Sequence, residues 1–270
     1  MGTLYMVATP IGHLEDITLR ALETLKTVDL ILCEDTRVTR TLTARYGIQK
    51  PLKSYFAGNE ERRLGPILER LKGTDSIALV TDAGTPGVSD PGYLLVRACR
   101  QAGIPVVPIP GPSALATALS VSGLPAQRVL FLGFPPRKTQ ERARFLSSLA
   151  ADPSTLVFYE APHRVRSFLK EALTAFGGRE CVVGRELTKR FEWVGPVSDP
   201  EQVPERGEFV VLFGPPPAPV AVPCTPEETA RRVGQFVDEG IEEKEALRRV
   251  AREMGVPRRE IYAIVKGSRT

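Results

Sequence analysis

The chain has 270 residues, enough for two sizeable cores, and its 36 basic and 32 acidic side chains leave a formal charge of only +4, so any nucleic-acid footprint must be local. Cys33, Cys99, Cys181 and Cys224 are scattered, with no C-x-x-C pair and no neighbouring histidine, which argues against a zinc site and for reduced thiols in a cytoplasmic protein. The longest apolar runs are strand-length and no signal-peptide pattern opens the chain, so neither membrane insertion nor export is expected.

Strand and helix patterns alternate through the first third of the chain. Residues 3–9 read as a strand, 17–27 as an amphipathic helix, 28–33 as a strand and 36–46 as a helix, an order that implies βαβ units and a parallel sheet. The loops after these two strands hold polar residues: Asp16 before one helix, and Glu34-Asp35-Thr36-Arg37 before the next. Either aspartate can cap its helix or serve a site. Several charges at the end of a buried strand are costly unless they pair or meet a ligand. Residues 60–71 form a charged amphipathic helix with a solvated face.

The densest loop follows. A buried strand at 76–81 leads into Asp82-Ala83-Gly84-Thr85-Pro86-Gly87-Val88-Ser89-Asp90-Pro91-Gly92, and residues 93–102 have helical spacing. Three glycines permit close backbone approach, two prolines stiffen the loop, and Thr85, Ser89, Asp82 and Asp90 supply polar contacts. Eleven residues exceed an ordinary connection, and loops at the carboxyl ends of strands bind ligands in open α/β sheets. A second such loop, Pro110 to Ala114, follows a strand at 103–109, with Ser113 placed to cap the next helix. Four loops would thus share one rim. Neither glycine loop has the spacing of a dinucleotide fingerprint or a P-loop.

After Pro125 the pattern restarts, with strands expected at 128–134, 155–159, 180–184, 191–197 and 208–213 and helices at 138–149 and 163–175. Pro162 suits a first helical turn. Arg185, Lys189 and Arg190 crowd a loop that reads equally as a solvated turn or as a contact to an RNA backbone. The prolines of residues 215–226 make a semi-rigid linker. Beyond it lie helices at 227–238, 242–254 and 257–266, the last two rich in arginine and lysine, which read either as a helix-turn-helix that could dock on RNA or ribosomal protein or as a small bundle packed for stability. The organisation expected is α/β, with α/β domains at 1–114 and 115–214, the linker, and a small helical domain at 227–270.

Six ordered blocks carry a resemblance: Val7 to Gly12, Asp16 to Leu22, Glu34 to Arg37, Asp82 to Gly92, Pro108 to Ala114, and Tyr159-Glu160-Ala161-Pro162-His163-Arg164. Together they resemble the tetrapyrrole methylase superfamily and, within it, the ribosomal RNA small subunit methyltransferase I branch. The resemblance implies two α/β domains with a cofactor cleft between them, S-adenosylmethionine as methyl donor, a cytidine ribose 2'-hydroxyl in 16S rRNA as acceptor, a homodimer, and no metal. It places Ile11, Asp82, Gly84, Thr85, Val88, Ser113, Ala114, Ala161 and Leu187 around the cofactor. A base near the ribose would help the reaction, and Asp35, Glu34, His163 and Lys189 are candidates. Asp16, Arg37, Arg164 and Arg185 are candidates for holding the substrate. His13 and Phe56 stand where the family usually has Asn and His. Two rivals are a tetrapyrrole C-methyltransferase, whose G-x-G-x-G-D loop is absent here, and a non-catalytic ribosome-associated binding protein.

Overall fold

A computed structural model describes residues 1–217 and 225–267. Most of the expected linker, with Cys224, and Arg269 at the end of the chain lie outside these residues. The described chain divides into two compact units, one ending at Pro215 and one beginning at Pro216.

In the first unit, β1 (Thr3–Val7), β2 (Leu30–Cys33), β3 (Leu52–Ser54), β4 (Ser76–Leu79) and β5 (Val106–Ile109) form a parallel sheet in the order β3-β2-β4-β1-β5. Helices α1 (Leu19–Thr27), α2 (Thr36–Arg45), α3 (Glu60–Lys72) and α4 (Tyr93–Gln101) make the crossovers. Alternation of side chains sends Leu4, Leu32, Ile77 and Leu79 into one buried cluster and Val7, Ile31, Cys33 and Ala78 into another. Burial on both faces explains why these strands read as continuous apolar runs.

Three details differ from the sequence reading. The first helix begins at Leu19, not at residue 17, because Thr18 accepts a hydrogen bond from Ala21 N at 3.1 Å and takes the capping position. Asp16 instead ends a short 3-10 turn and is exposed. Strand β3 escaped detection because three half-buried residues, including Lys53 and Ser54, carry no readable periodicity. Strand β5 starts only at Val106, since Gly103 turns the chain with φ +69°.

The second sheet has the order β6-β7-β10-β8-β9, built from β6 (Val129–Phe131), β7 (Thr155–Glu160), β8 (Cys181–Arg185), β9 (Trp193–Pro196) and β10 (Phe209–Phe213). Only β6 and β7 are parallel; β10 runs antiparallel to both its neighbours. On one face α6 (Thr139–Leu149) and α7 (Val165–Phe176) cover Phe158, Val183, Val211 and Phe213. The other face presents Val157, Val182, Val210 and Leu212 to Ala118 of α5 (Ala114–Ser122) and to Ile11 and Leu187. A residue from the loop after β1 thus helps bury the second sheet. Helix α7 starts after Arg164, so Pro162 and His163 lie in a preceding turn rather than in its first turn. Arg179 is buried and donates to the carbonyls of Leu149, Ala150, Asp152, Ser154 and Gly214, pinning the ends of several elements.

The second unit holds α8 (Pro226–Asp238), α9 (Glu243–Met254) and α10 (Arg258–Gly267) around Val233, Leu247, Val250 and Ile261. Thr225 caps α8 by accepting from Glu228 N at 3.2 Å, and Gly255 at φ +65° ends α9. Lys244, Arg248, Arg249, Arg252, Arg258 and Arg259 are exposed on this unit. Among the described residues no helix is long and apolar enough to cross a membrane.

Candidate active site

Loops at the carboxyl ends of β1, β2, β4 and β5 meet the second sheet around a cavity of about 380 Å³, within the range of small-molecule sites. Two backbone hydrogen bonds, Thr9 N to Gly84 O at 2.9 Å and Gly84 N to Thr9 O at 3.1 Å, tie the β1 loop to the β4 loop. Thr9 Oγ1 donates to Thr81 O at 2.9 Å. Thr85 Oγ1 donates to Pro112 O at 3.3 Å and joins the β5 loop to the same frame. Residues 84, 87, 89 and 92 all have positive φ, from +63° to +136°, which is why this stretch needs its glycines. Ser113 stands at the N-cap of α5 without accepting a capping bond and lines the cavity, so its hydroxyl is not committed to the helix.

The expected cofactor residues Ile11, Asp82, Gly84, Thr85, Val88, Ser113, Ala114, Ala161 and Leu187 all line this one cavity, and Glu34 lines it with them. Asp35 is next to the wall: its N–H donates to Asp82 Oδ1 at 3.0 Å, and its own carboxylate accepts from Arg37 N at 2.8 Å and from the Arg37 guanidinium at 2.6 to 3.1 Å. Asp35 therefore caps α2, and the Arg37 side chain lowers its carboxyl to about 2. Burial, above all, raises Glu34 and Asp82 above the usual carboxylate range. Asp90 is pushed up to about 6 by burial and then by the charge of Glu34.

Other expected residues are placed differently. His163 is exposed and outside the lining. Lys189 contacts Glu186 at 3.2 Å and Glu208 at 2.9 Å. Burial works against its charge, but those carboxylates outweigh it and raise its pKa, so Lys189 is a cation and unsuited to accept a proton. Arg164 donates to the carbonyls of Pro135 and Pro136 and lies 3.3 Å from Glu160, which commits it to holding its own chain instead of a phosphate. Arg185 is similarly engaged by the carbonyls of Arg206 and Phe191. Arg37 keeps its pair with Asp35 but is mostly solvent-facing, so it can still reach a ligand at the rim. Asp16 lines a shallow neighbouring hollow with Thr18, Ser113 and Thr188.

Ser89 and Asp90, expected from the loop's composition, line the cavity too, and the structure adds Thr81, Phe134, Tyr159, Glu160, Glu208 and Phe209. Thr81 and Glu160 end their strands in the sequence, a positional signal that could have singled them out. Glu208 and Phe209 open a strand whose antiparallel direction only the topology reveals. Glu160 is fully buried, its Oε1 accepts from Ala161 N at 2.8 Å, and its Oε2 is ion-paired with the Arg164 guanidinium at 3.3 Å.

A parallel and a mixed sheet facing each other across a ligand-sized cleft define a methylase architecture, and residues 3–200 match the Tetrapyrrole (Corrin/Porphyrin) Methylases family. Solved structures agree on the fold. A diphthine synthase superposes with a TM-score of 0.61 at 13% identity, covering 79% of this chain and 90% of that one. The methyltransferase CobJ gives 0.58 at 21%, covering 80% and 95%. Sequence relatives narrow the class. A ribosomal RNA small subunit methyltransferase I of Xylella fastidiosa is 46% identical over 97% of this chain and 98% of its own length. One of Thermotoga maritima is 50% identical over 79% of this chain and 98% of its own. The chain belongs to the ribosomal RNA small subunit methyltransferase I family.

Proposed function

We propose that this chain moves a methyl group from S-adenosylmethionine to the ribose 2'-hydroxyl of a cytidine in 16S rRNA of the small ribosomal subunit. The observation that carries the reading is the cavity. Its wall contains Glu34, Asp82, Asp90, Glu160 and Glu208 and no lysine, arginine or histidine, which suits a ligand bearing ammonium and sulfonium charges. Ile11, Val88, Leu187 and Tyr159 offer apolar surface for an adenosine. The residues present therefore fit the cofactor, with Gly84, Thr85, Ser113, Ala114 and Ala161 bringing backbone close to it. When bound, S-adenosylmethionine supplies a methyl group activated on a cationic sulfur.

The chain must then align the acceptor oxygen, exclude water and manage one proton. Asp35, held ionised by Arg37, is a weak base and a strong hydrogen-bond acceptor, so we assign it to orienting the ribose hydroxyl. Arg37 at the rim is the candidate for a phosphate. The basic helices of the C-terminal unit would add contacts to RNA. We take the active form to be a homodimer, as the resemblance implies, which sedimentation of the purified protein tests, and its location to be cytoplasmic, as the scattered cysteines suggest. The function itself is tested by transfer of labelled methyl from S-adenosylmethionine to 30S subunits and mapping of the modified nucleotide. Label on a base, or on no rRNA nucleotide, overturns it.

A further inference from the structure

We infer that Glu34 and Asp90, lining one cavity wall with the Thr81 hydroxyl, share one proton in the free protein, give it up when the cationic cofactor binds, and leave Asp90 to take the ribose proton. The inference rests on the function proposed above.

Thr81 Oγ1 lies 3.5 Å from Glu34 Oε2, and Asp90 lines the same cavity wall close enough for the Thr81 hydroxyl and the Glu34 charge both to act on it. A hydroxyl has a single hydrogen, so it cannot donate to two ionised carboxylates. Two carboxylates lining one wall beside a single hydroxyl hydrogen disfavour double ionisation, as when two carboxylates share a site. The surroundings reinforce this. Asp82 after β4 and Asp35 after β2 add negative charge, and Tyr159 of β7 packs nearby. The cations that come close are already engaged: Arg37 by Asp35, Arg164 beside Glu160 of β7, and Lys189 by Glu208 of β10. Among the described residues no three such acids converge as a metal site requires. Glu160, buried in the same wall and ion-paired through Oε2 with Arg164 at 3.3 Å, adds a further carboxylate to the lining.

Charge bookkeeping assigns the direction. S-adenosylmethionine carries one net positive charge, which favours the fully ionised pair. As the new O–C bond forms and the S–C bond breaks, its electron pair passes to sulfur and the hydroxyl proton passes to the Asp90 carboxylate. The cavity then holds a neutral thioether and a protonated pair, with the same net charge as before transfer. Asp90 suits this role better than Asp35, whose carboxylate is held near 2 by Arg37, because a base titrating closer to working pH shares a proton more readily.

The test is calorimetric titration of the full chain with S-adenosylmethionine, without RNA, in pairs of buffers of different ionisation enthalpy. With Asp90 titrating at about 6, roughly half a proton should be released per site at pH 6 and almost none at pH 8. S-adenosylhomocysteine, lacking the positive sulfur, should release far less. An Asp90→Asn variant should bind the cofactor without releasing a proton, and its single-turnover methylation should fall about 10²-fold or more. Binding with no proton release between pH 5 and 7, or equal release with the two ligands, overturns this inference alone. Equal release from Asp90→Asn does the same. Absence of any S-adenosylmethionine binding overturns the function on which it rests. If Asp90→Asn does not fold, the comparison of the two ligands on the parent protein decides.

Discussion

Gly84 separates two ways in which a substitution can damage this site. Its φ is +86°, and a Cβ placed there would meet Ile11 Cγ2 at 3.5 Å and Pro112 O at 3.8 Å. Those are ordinary contacts, so alanine fits sterically and pays only for its backbone. Left-handed geometry costs about 1–2 kcal/mol for a residue with Cβ, offset by about 0.4–1 kcal/mol from a stiffer unfolded chain. The net loss is about 1 kcal/mol, or roughly 2–4 °C in Tm for a unit of this size. Gly47, beyond the far end of α2, has φ +65° and nothing within 4 Å of its Cβ position, so Gly47→Ala should cost the same. The two positions should diverge for cofactor. Gly84→Val sends two further methyls into the cavity wall and should weaken S-adenosylmethionine at least about 10-fold, the equivalent of about 1.4 kcal/mol, whereas Gly47→Val should leave affinity unchanged. Thermal melts and calorimetry on the four variants make the comparison. Parental affinity in folded Gly84→Val would refute the assignment of this loop to the cofactor, and equal losses of affinity at both glycines would show that strain alone is responsible.

Asp35→Asn keeps an oxygen able to cap α2 and should retain cofactor affinity while turnover falls roughly 10²-fold or more; single-turnover methylation equal to the parent would reduce Asp35 to a helix cap. Asp90 holds its proton up to about 6 in the folded protein but only to the usual aspartate range when unfolded, so the stability it contributes is present at low pH and is lost as pH rises through about 6. Asp90→Asn should flatten that part of the Tm profile between pH 5 and 7, measured without ligand. Arg179→Met removes the donor shared by five buried or part-buried carbonyls and should destabilise the first unit by about 3 kcal/mol or more, seen as a shifted urea midpoint. Removing residues 216–270 should weaken binding to 30S subunits with a shallower salt dependence and leave S-adenosylmethionine affinity intact; equal methylation at all salt concentrations would make the helices a stability element.

Much of the cavity was readable because its parts sit where strands stop. Glu34, Asp82 and Ser113 each follow an apolar run, and a parallel sheet brings such positions to one rim. The loop from Asp82 to Gly92 announced itself by composition. What could not be read was which charges are free. Arg164 and Lys189 look available in a line of sequence, yet one is spent on the carbonyls of Pro135 and Pro136 and the other on Glu186 and Glu208. Those partners are set by loop conformation and strand order, not by spacing. Glu208 reaches the cavity only because β10 lies between β7 and β8. The helix boundary at Thr18 was missed by two residues because Asp16 and Thr18 are both competent caps and only backbone geometry chooses between them.

The strand orders also dictate when the chain can fold during its synthesis. Strand β1 leaves the polymerising machinery first, but its partners β4 and β5 pair with it through Ser76 and Val106, so it must wait without a sheet until β4 ends at Leu79 and without its second neighbour until β5 ends at Ile109. The central strand of the other sheet, β10, ends at Phe213, and until it arrives β7 and β8 have no common neighbour. Such delays expose apolar edges that pair slowly. A stall placed before residue 209 should therefore leave a nascent chain sensitive to protease throughout its second half, and a stall placed beyond the C-terminal helices should release a chain able to close both sheets at once.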